Sequence, residues 1–213
     1  MPRNADDRPM ISNEVVEDLL RGVRMVSNDA PLTLCAGCGY PSDYKAMFHP
    51  ASLVHCMIER LAARLYPDHG YEAAVEQVAG LIIRGHGQTF DARLWEARAI
   101  RSTQDEILTS IVAYFRIAPG SKATLHKLGS NHYSLAVENW PLQGSAITGA
   151  FIVFIELLGG SQLVTTLEQT AFESYLLTMR WQSAEATDRS VLLASEQGQG
   201  EHKPSVKELT YTC

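Results

Sequence analysis

The sequence is poor in the features that usually announce a function. Its 213 residues hold no basic stripe. The 18 Lys and Arg residues are scattered singly and the formal net charge is −6, which argues against a nucleic-acid surface. No apolar run is long enough to cross a bilayer. The most apolar stretch, Ala146 to Leu158, spans 13 residues and includes Glu156, so it reads as a buried helix and no membrane partner is expected. Residues 1–9 are polar and charged, without the character of a signal peptide. Cysteine is sparse: Cys35, Cys38, Cys56 and Cys213 in a chain of this length argue for reduced thiols and a cytoplasmic protein, not a disulfide framework. No Ser-His-Asp, Cys-His-Asn or paired-carboxylate arrangement stands out, and G-x-S-x-G and the phosphate loop are both missing. Nothing positive in the sequence marks an enzyme.

What is present is an ordinary globular balance, 46% hydrophobic and 20% charged, enough to bury a core. Residues 1–12 read as a flexible polar leader. A helix follows, with Asn13 as N-cap and Val15, Val16, Leu19, Leu20 and Val23 at helical spacing. Residues 33–49 are punctuated by Gly37, Gly39 and Pro41 and read as irregular. Pro50 suits a first helical turn, and Leu53, Val54, Met57, Ile58, Leu61, Ala62 and Leu65 form an amphipathic stripe. A further helix runs from Tyr71 toward Gly85-His86-Gly87, and residues 91–116 hold one or two more.

Near Pro119-Gly120 the period changes from helical to alternating. Residues 123–128 and 133–137 flank Gly129-Ser130-Asn131 as a β-hairpin. Residues 144–158 return to helical spacing and end at Gly159-Gly160. Residues 162–168 and 172–181 then read as two strands with a break at Gln169-Thr170. The predicted class is α+β. A helical part (13–118) and a ββαββ part with an antiparallel four-stranded sheet (119–182) pack as one domain, and 183–213 form a polar, partly mobile tail.

Three clusters carry possible chemistry. Cys35-Ala36-Gly37-Cys38 has the spacing that lets two thiolates converge on one metal ion, and His49 with Cys56 would complete a zinc set. The second C-x-x-C is missing, so the plainer reading, a small buried cysteine and ordinary loop thiols, is preferred. Arg84-Gly85-His86-Gly87-Gln88-Thr89 sets a histidine between glycines at a helix end, where a ligand could approach; a glycine-ended helix is also common for structural reasons alone. His126, His132 and Tyr133 flank the hairpin turn and could face one another across it, although turn-side residues are more often simply solvated. Arg84, His86, Gln88, His126, His132 and Tyr133 are therefore the ligand-pocket candidates.

The segments Leu61 to Pro67, Arg84 to Thr89, Ser130 to Tyr133, Gly149 to Gly160 and Tyr175 to Trp181 resemble an uncharacterised myxobacterial protein family. Helices followed by ββαββ also look like the wider group of vinyl-reductase-type and haem nitric-oxide-binding domains, which enclose small apolar or planar ligands between helices and sheet. In that group the haem members take an axial histidine from the helix before the hairpin, and residues 93–116 contain none. The zinc-bearing relatives use cysteines of the C-terminal half, where only Cys213 stands. The resemblance therefore implies no cofactor, with haem disfavoured. The expected function is a non-catalytic binding or regulatory domain for a small apolar ligand or a protein partner, with a homodimer as a further option. The alternative is a tailoring or isomerising enzyme using a histidine as acid/base in the same pocket.

Overall fold

A computed structural model describes residues 9–40, 47–89, 104–115, 117–157 and 160–183. These lie in a compact unit, Met1–Gln182, except Ser183, which begins a second unit, Ser183–Cys213. The expected tail falls outside the described residues.

The first strand, β1 (Met10–Ser12), pairs antiparallel with β2 (Phe48–Pro50), with Ile11 opposite His49. Part of the expected leader is therefore structured, held by a partner 38 residues away that no local pattern reveals. Helix α1 (Asn13–Val26) starts one residue earlier in capping terms than expected: the Ser12 hydroxyl, not Asn13, accepts from the Glu14 N–H at 3.3 Å. A short turn of helix, α2 (Pro31–Leu34), precedes β2, and α3 (Ala51–Leu65) buries the stripe Val54, Met57, Ile58, Leu61 and Ala62. Helix α4 (Tyr71–His86) follows. The next described elements are α5 (Gln104–Ile111) and a 3-10 turn at Val112–Phe115.

The second half has the expected ββαββ order. Strands β3 (Lys122–Gly129) and β4 (His132–Glu138) form the hairpin, α6 (Gly144–Leu157) crosses, and β5 (Gly160–Ala171) and β6 (Ser174–Ser183) complete a four-stranded sheet of order β3-β4-β6-β5. The central pair sets Tyr133 opposite Met179, Leu135 opposite Leu177 and Val137 opposite Tyr175. The break between the last strands lies at Phe172-Glu173, not at Gln169-Thr170: Glu173 takes a left-handed φ of 52°, and β5 runs on to Ala171.

The layers are α1, α4, α6 and then the sheet, which α6 meets at β5. Being covered on both sides, α6 is buried almost all round, which explains its largely apolar sequence. Among the described residues no helix is long and apolar enough to cross a membrane. Glycines let the helices touch backbone to backbone. A Cβ on Gly22 would lie 2.0 Å from the Leu81 carbonyl oxygen, and one on Gly85 would lie 1.8 Å from that of Asp18. On the other side of α4, a Cβ on Gly149 would come within 2.0 Å of the Glu76 carbonyl oxygen.

Thr148, on α6, is buried, and its hydroxyl has no hydrogen-bond partner among the described residues. A Thr148→Val exchange removes that unsatisfied group at nearly constant shape. It is expected to leave stability unchanged or raise it by about 1 kcal/mol in urea unfolding, whereas a lower midpoint would show that the hydroxyl does bond.

Candidate functional site

A half-open cavity of about 460 Å³ lies on the helical side of α6. Its walls are mostly apolar: Val15 from α1, Ala79, Ile82 and Ile83 from α4, Phe115 and Ile117 at and after the 3-10 turn, Trp140 and Leu142 before α6, and Ala146 and Ala150 on α6. The two alanines sit one turn apart, so α6 offers a shallow surface there and the space stays open. Phe115 is backed by Phe151, stacked at 5.2 Å between ring centroids, and leans on Trp140 at 5.8 Å. No residue of the four sheet strands lines this space, so the expectation of a pocket between helices and sheet is corrected by one layer. The helix α6 itself covers the sheet.

Among the described residues the polar lining is Ser12, Glu14, Asp18 and His86. His86 ends α4, and its Nδ1 donates to Asp18 Oδ2 at 2.9 Å. The Asp18 side chain is only 9% exposed and also accepts from the Arg21 guanidinium, one turn along α1. Arg21 in turn donates to the Gly85 carbonyl at 3.3 Å. The carboxylate is thus held between a guanidinium and an imidazole, in the arrangement that makes a buried charge tolerable. Its place follows from the glycine contacts: only with Gly22 and Gly85 at the crossing do α1 and α4 approach closely enough for Asp18 to meet His86.

Of the six ligand-pocket candidates read from the sequence, His86 alone is in the cavity lining. Arg84 faces a smaller groove of about 260 Å³ between α4 and α6, where it pairs with Glu156 at 2.9 Å. In that groove burial, with Glu72 nearby, pushes the Glu76 carboxyl above its ordinary range. Gln88 is exposed just beyond α4. His126 is exposed and registers with Ser134, while His132 sits opposite Gly129 and Arg180, so the two histidines do not face one another. Tyr133 is buried on the inner face of the sheet, stacked on Trp181 at 5.4 Å. Asp18 escaped the sequence reading, yet a signal existed: it shares the apolar face of α1 with Val15, Leu19 and Gly22, where an acid must find a partner.

The zinc set that the spacing allowed, but that was not the preferred reading, is not assembled. Cys38 and Cys56 are joined as a disulfide with Cα atoms 5.7 Å apart, which corrects the expectation of reduced thiols throughout. Cys35 is buried, and burial pushes its thiol up to about 11 although the Arg60 guanidinium acts the other way. His49 is buried, its Nε2 donating to Asn13 Oδ1 at 2.8 Å, and burial lowers its pKa. Among the described residues no group of three or more His, Cys, Asp or Glu could hold a metal ion. The disulfide spans 18 residues and ties the segment after α2 to α3. Reduction, or Cys56→Ser, is expected to cost about 3 kcal/mol through the loop entropy released in the unfolded chain. Urea midpoints with and without reductant check this, and equal midpoints would count against it.

With helices first, a cavity beside them and one helix laid across an antiparallel four-stranded sheet, the chain has the H-NOX fold, the haem nitric-oxide-binding branch of the resemblance noted above. One solved structure of this fold is a triple mutant of the H-NOX protein from S. oneidensis in the Fe(II) ligation state. It is 11% identical, with 83% of this chain and 98% of that one covered and a TM-score of 0.59. The same organism's protein in the Fe(II)NO state is 11% identical at TM-score 0.57, covering 81% and 100%. The Fe(II) unliganded H-NOX protein from K. algicida is 11% identical at TM-score 0.52, covering 82% and 98%. No protein-family model and no curated protein matches the sequence.

These structures overturn the sequence-based exclusion of haem, since proteins of this fold are described with Fe(II) and Fe(II)NO. The exclusion assumed a donor on the helix before the hairpin. The cavity is lined from α4 as well, and α4 brings His86. The apolar walls suit a planar macrocycle, and His86 places an imidazole in the same lining. Among the described residues no lysine or arginine is in the lining.

Proposed function

We propose that this chain is a non-catalytic binding or regulatory domain that holds a small, largely apolar ligand in the cavity bounded by α1, α4 and α6. The observation that carries the reading is the cavity itself: about 460 Å³ of space whose described walls are mostly apolar, with Ser12, Glu14, Asp18 and His86 as polar groups. The likeness of fold to H-NOX proteins in Fe(II) and Fe(II)NO states supports it and makes iron porphyrin the first ligand to try. When bound, such a group would supply an iron atom able to take up a diatomic gas; the apolar walls would orient it and exclude water.

Titration with haemin and with metal-free protoporphyrin, followed by quenching of Trp140 on the cavity wall, is expected to give saturable one-to-one binding. Ala146→Phe fills the space with a ring and is expected to weaken binding at least about tenfold, or ~1.4 kcal/mol. Neither probe binding, together with an empty chain in native mass spectrometry, would sink the proposal. The Asp18–His86 pair favours a second reading, an enzyme with His86 as acid/base oriented by a carboxylate. In that case a ligand released from the protein after incubation differs chemically from the one supplied; recovery of the unchanged ligand favours the binding domain.

A further inference from the structure

We propose that the groove between α4 and α6 is a second ligand site, one that takes a small unbranched aliphatic amine with its ammonium group on Glu76. The site is separate from the cavity and does not depend on the function proposed for it.

The shape of the groove comes from missing side chains. A Cβ on Gly80 of α4 would lie 2.8 Å from Val153 Cγ2, and one on Gly149 of α6 would lie 2.0 Å from the Glu76 carbonyl oxygen. The two helices therefore meet closely, and what remains above the contact is a slot of about 260 Å³. Leu81, Ile152 and Val153 give it apolar surface. A slot this small, framed by glycines, has room for a thin methylene chain and none for a branched or ring-bearing body. Glu76 and Arg84 both line it, and the eight helical residues between them set them about 12 Å apart.

The two ends differ in charge. Arg84 is neutralised across the groove by Glu156 at 2.9 Å. Glu76 is partly buried, and among the described residues no hydrogen bond or ion pair reaches its carboxylate; the charge that acts on it is Glu72, of the same sign. Two carboxylates against one guanidinium leave the lining with one uncompensated negative charge. The raised proton affinity of the Glu76 carboxyl has the same origin, burial without a cation. A carboxylate placed beside apolar surface is best satisfied by a cation that carries its own apolar body. The ammonium head gives charge-assisted hydrogen bonds, and the chain leaves water along the slot. An anionic ligand would meet the wrong sign, and a bulky one would meet backbone.

Amide NMR titration of the full chain with methyl-, butyl- and hexylammonium tests the site, with hexanol and hexanoate as controls. Hexylammonium is expected to bind saturably and to shift the amides of Gly80, Gly149 and Ile152, with affinity rising about threefold for each methylene buried. The controls, one uncharged and one of opposite charge, leave those amides unmoved. Glu76→Gln keeps the shape and removes the charge, and is expected to lose at least about tenfold in affinity. Glu72→Gln removes a neighbouring charge outside the lining, and Ala146→Phe fills the separate cavity; both are expected to bind hexylammonium as wild type does. The wild-type shift map decides the question even where a variant loses its fold. No saturable shift with hexylammonium, shifts centred on the cavity residue Ala150, an equal response to hexanol, or unchanged affinity in Glu76→Gln each overturns the site. Porphyrin binding is read separately and stands or falls on its own titration.

Discussion

Gly85→Ala is expected to lower the stability of the protein by about 3 kcal/mol or more, read as a fall in the urea midpoint. In an ordinary helix interior this exchange stabilises by up to about 1 kcal/mol, because alanine restricts the unfolded chain. Here the sign reverses. The added methyl would lie 1.8 Å from the Asp18 carbonyl oxygen and 2.7 Å from the Gly22 nitrogen, both backbone atoms of a packed helix that cannot rotate aside. The only relief is to move α1 away from α4. That movement opens the contact along α1 and pulls Asp18 off His86, so the effect belongs to the severe end of overpacking. Gly70→Ser is the control: nothing lies within 4 Å of its Cβ, and serine at this N-cap position is expected to be neutral or stabilising by a few tenths of a kcal/mol. Equal effects at the two positions would refute the backbone-contact account.

The second large effect is expected at Phe151. Its ring is fully buried, stacked on Phe115 at 5.2 Å and set edge-on to Phe154 at 6.4 Å. Phe151→Ala is expected to cost about 3–5 kcal/mol, the sum of lost transfer energy and the hole left behind. Because Phe115 is a wall of the cavity, the loss of its backing is also expected, on the proposed function, to weaken porphyrin binding at temperatures where the variant is still folded. Phe151→Leu keeps most of the volume and should recover most of both losses. Stability that falls while ligand affinity stays unchanged would mean that Phe115 holds its place without the stack.

The parts of this structure visible in the sequence are those written in local period. Val54, Met57, Ile58 and Leu61 recur at helical spacing and define α3; Leu125, Tyr133, Leu135 and Val137 alternate and define the hairpin. The antiparallel four-stranded sheet and the buried helix across it followed from the same rules. What escaped depends on partners distant in the chain. Ile11 meets His49 and Cys38 meets Cys56 through tertiary approach, which no periodicity encodes. The end of β5 was misplaced because Gln169 and Thr170 have turn-like composition, whereas the chain actually reverses where Glu173 adopts a left-handed φ. At the site, His86 was legible from its flanking glycines. Its partner was not, since Asp18 precedes it by 68 residues, and the reason for their meeting lies in the close approach at Gly22 and Gly85, which no local pattern encodes.

The glycine crossings have a mechanical consequence. Between most helices, side chains act as a compliant layer in which a small displacement is absorbed by rotamer changes. At Gly22, Gly85 and Gly149 that layer is missing, and carbonyl groups of one helix rest on the backbone of the next. Packed backbone of this kind has almost no give. A push delivered to the His86 end of α4 is therefore expected to be met by a tilt of the whole helix and not by side-chain rearrangement at these crossings. The cavity bounded by α1, α4 and α6 is thus framed by helices whose spacing is set by backbone contact.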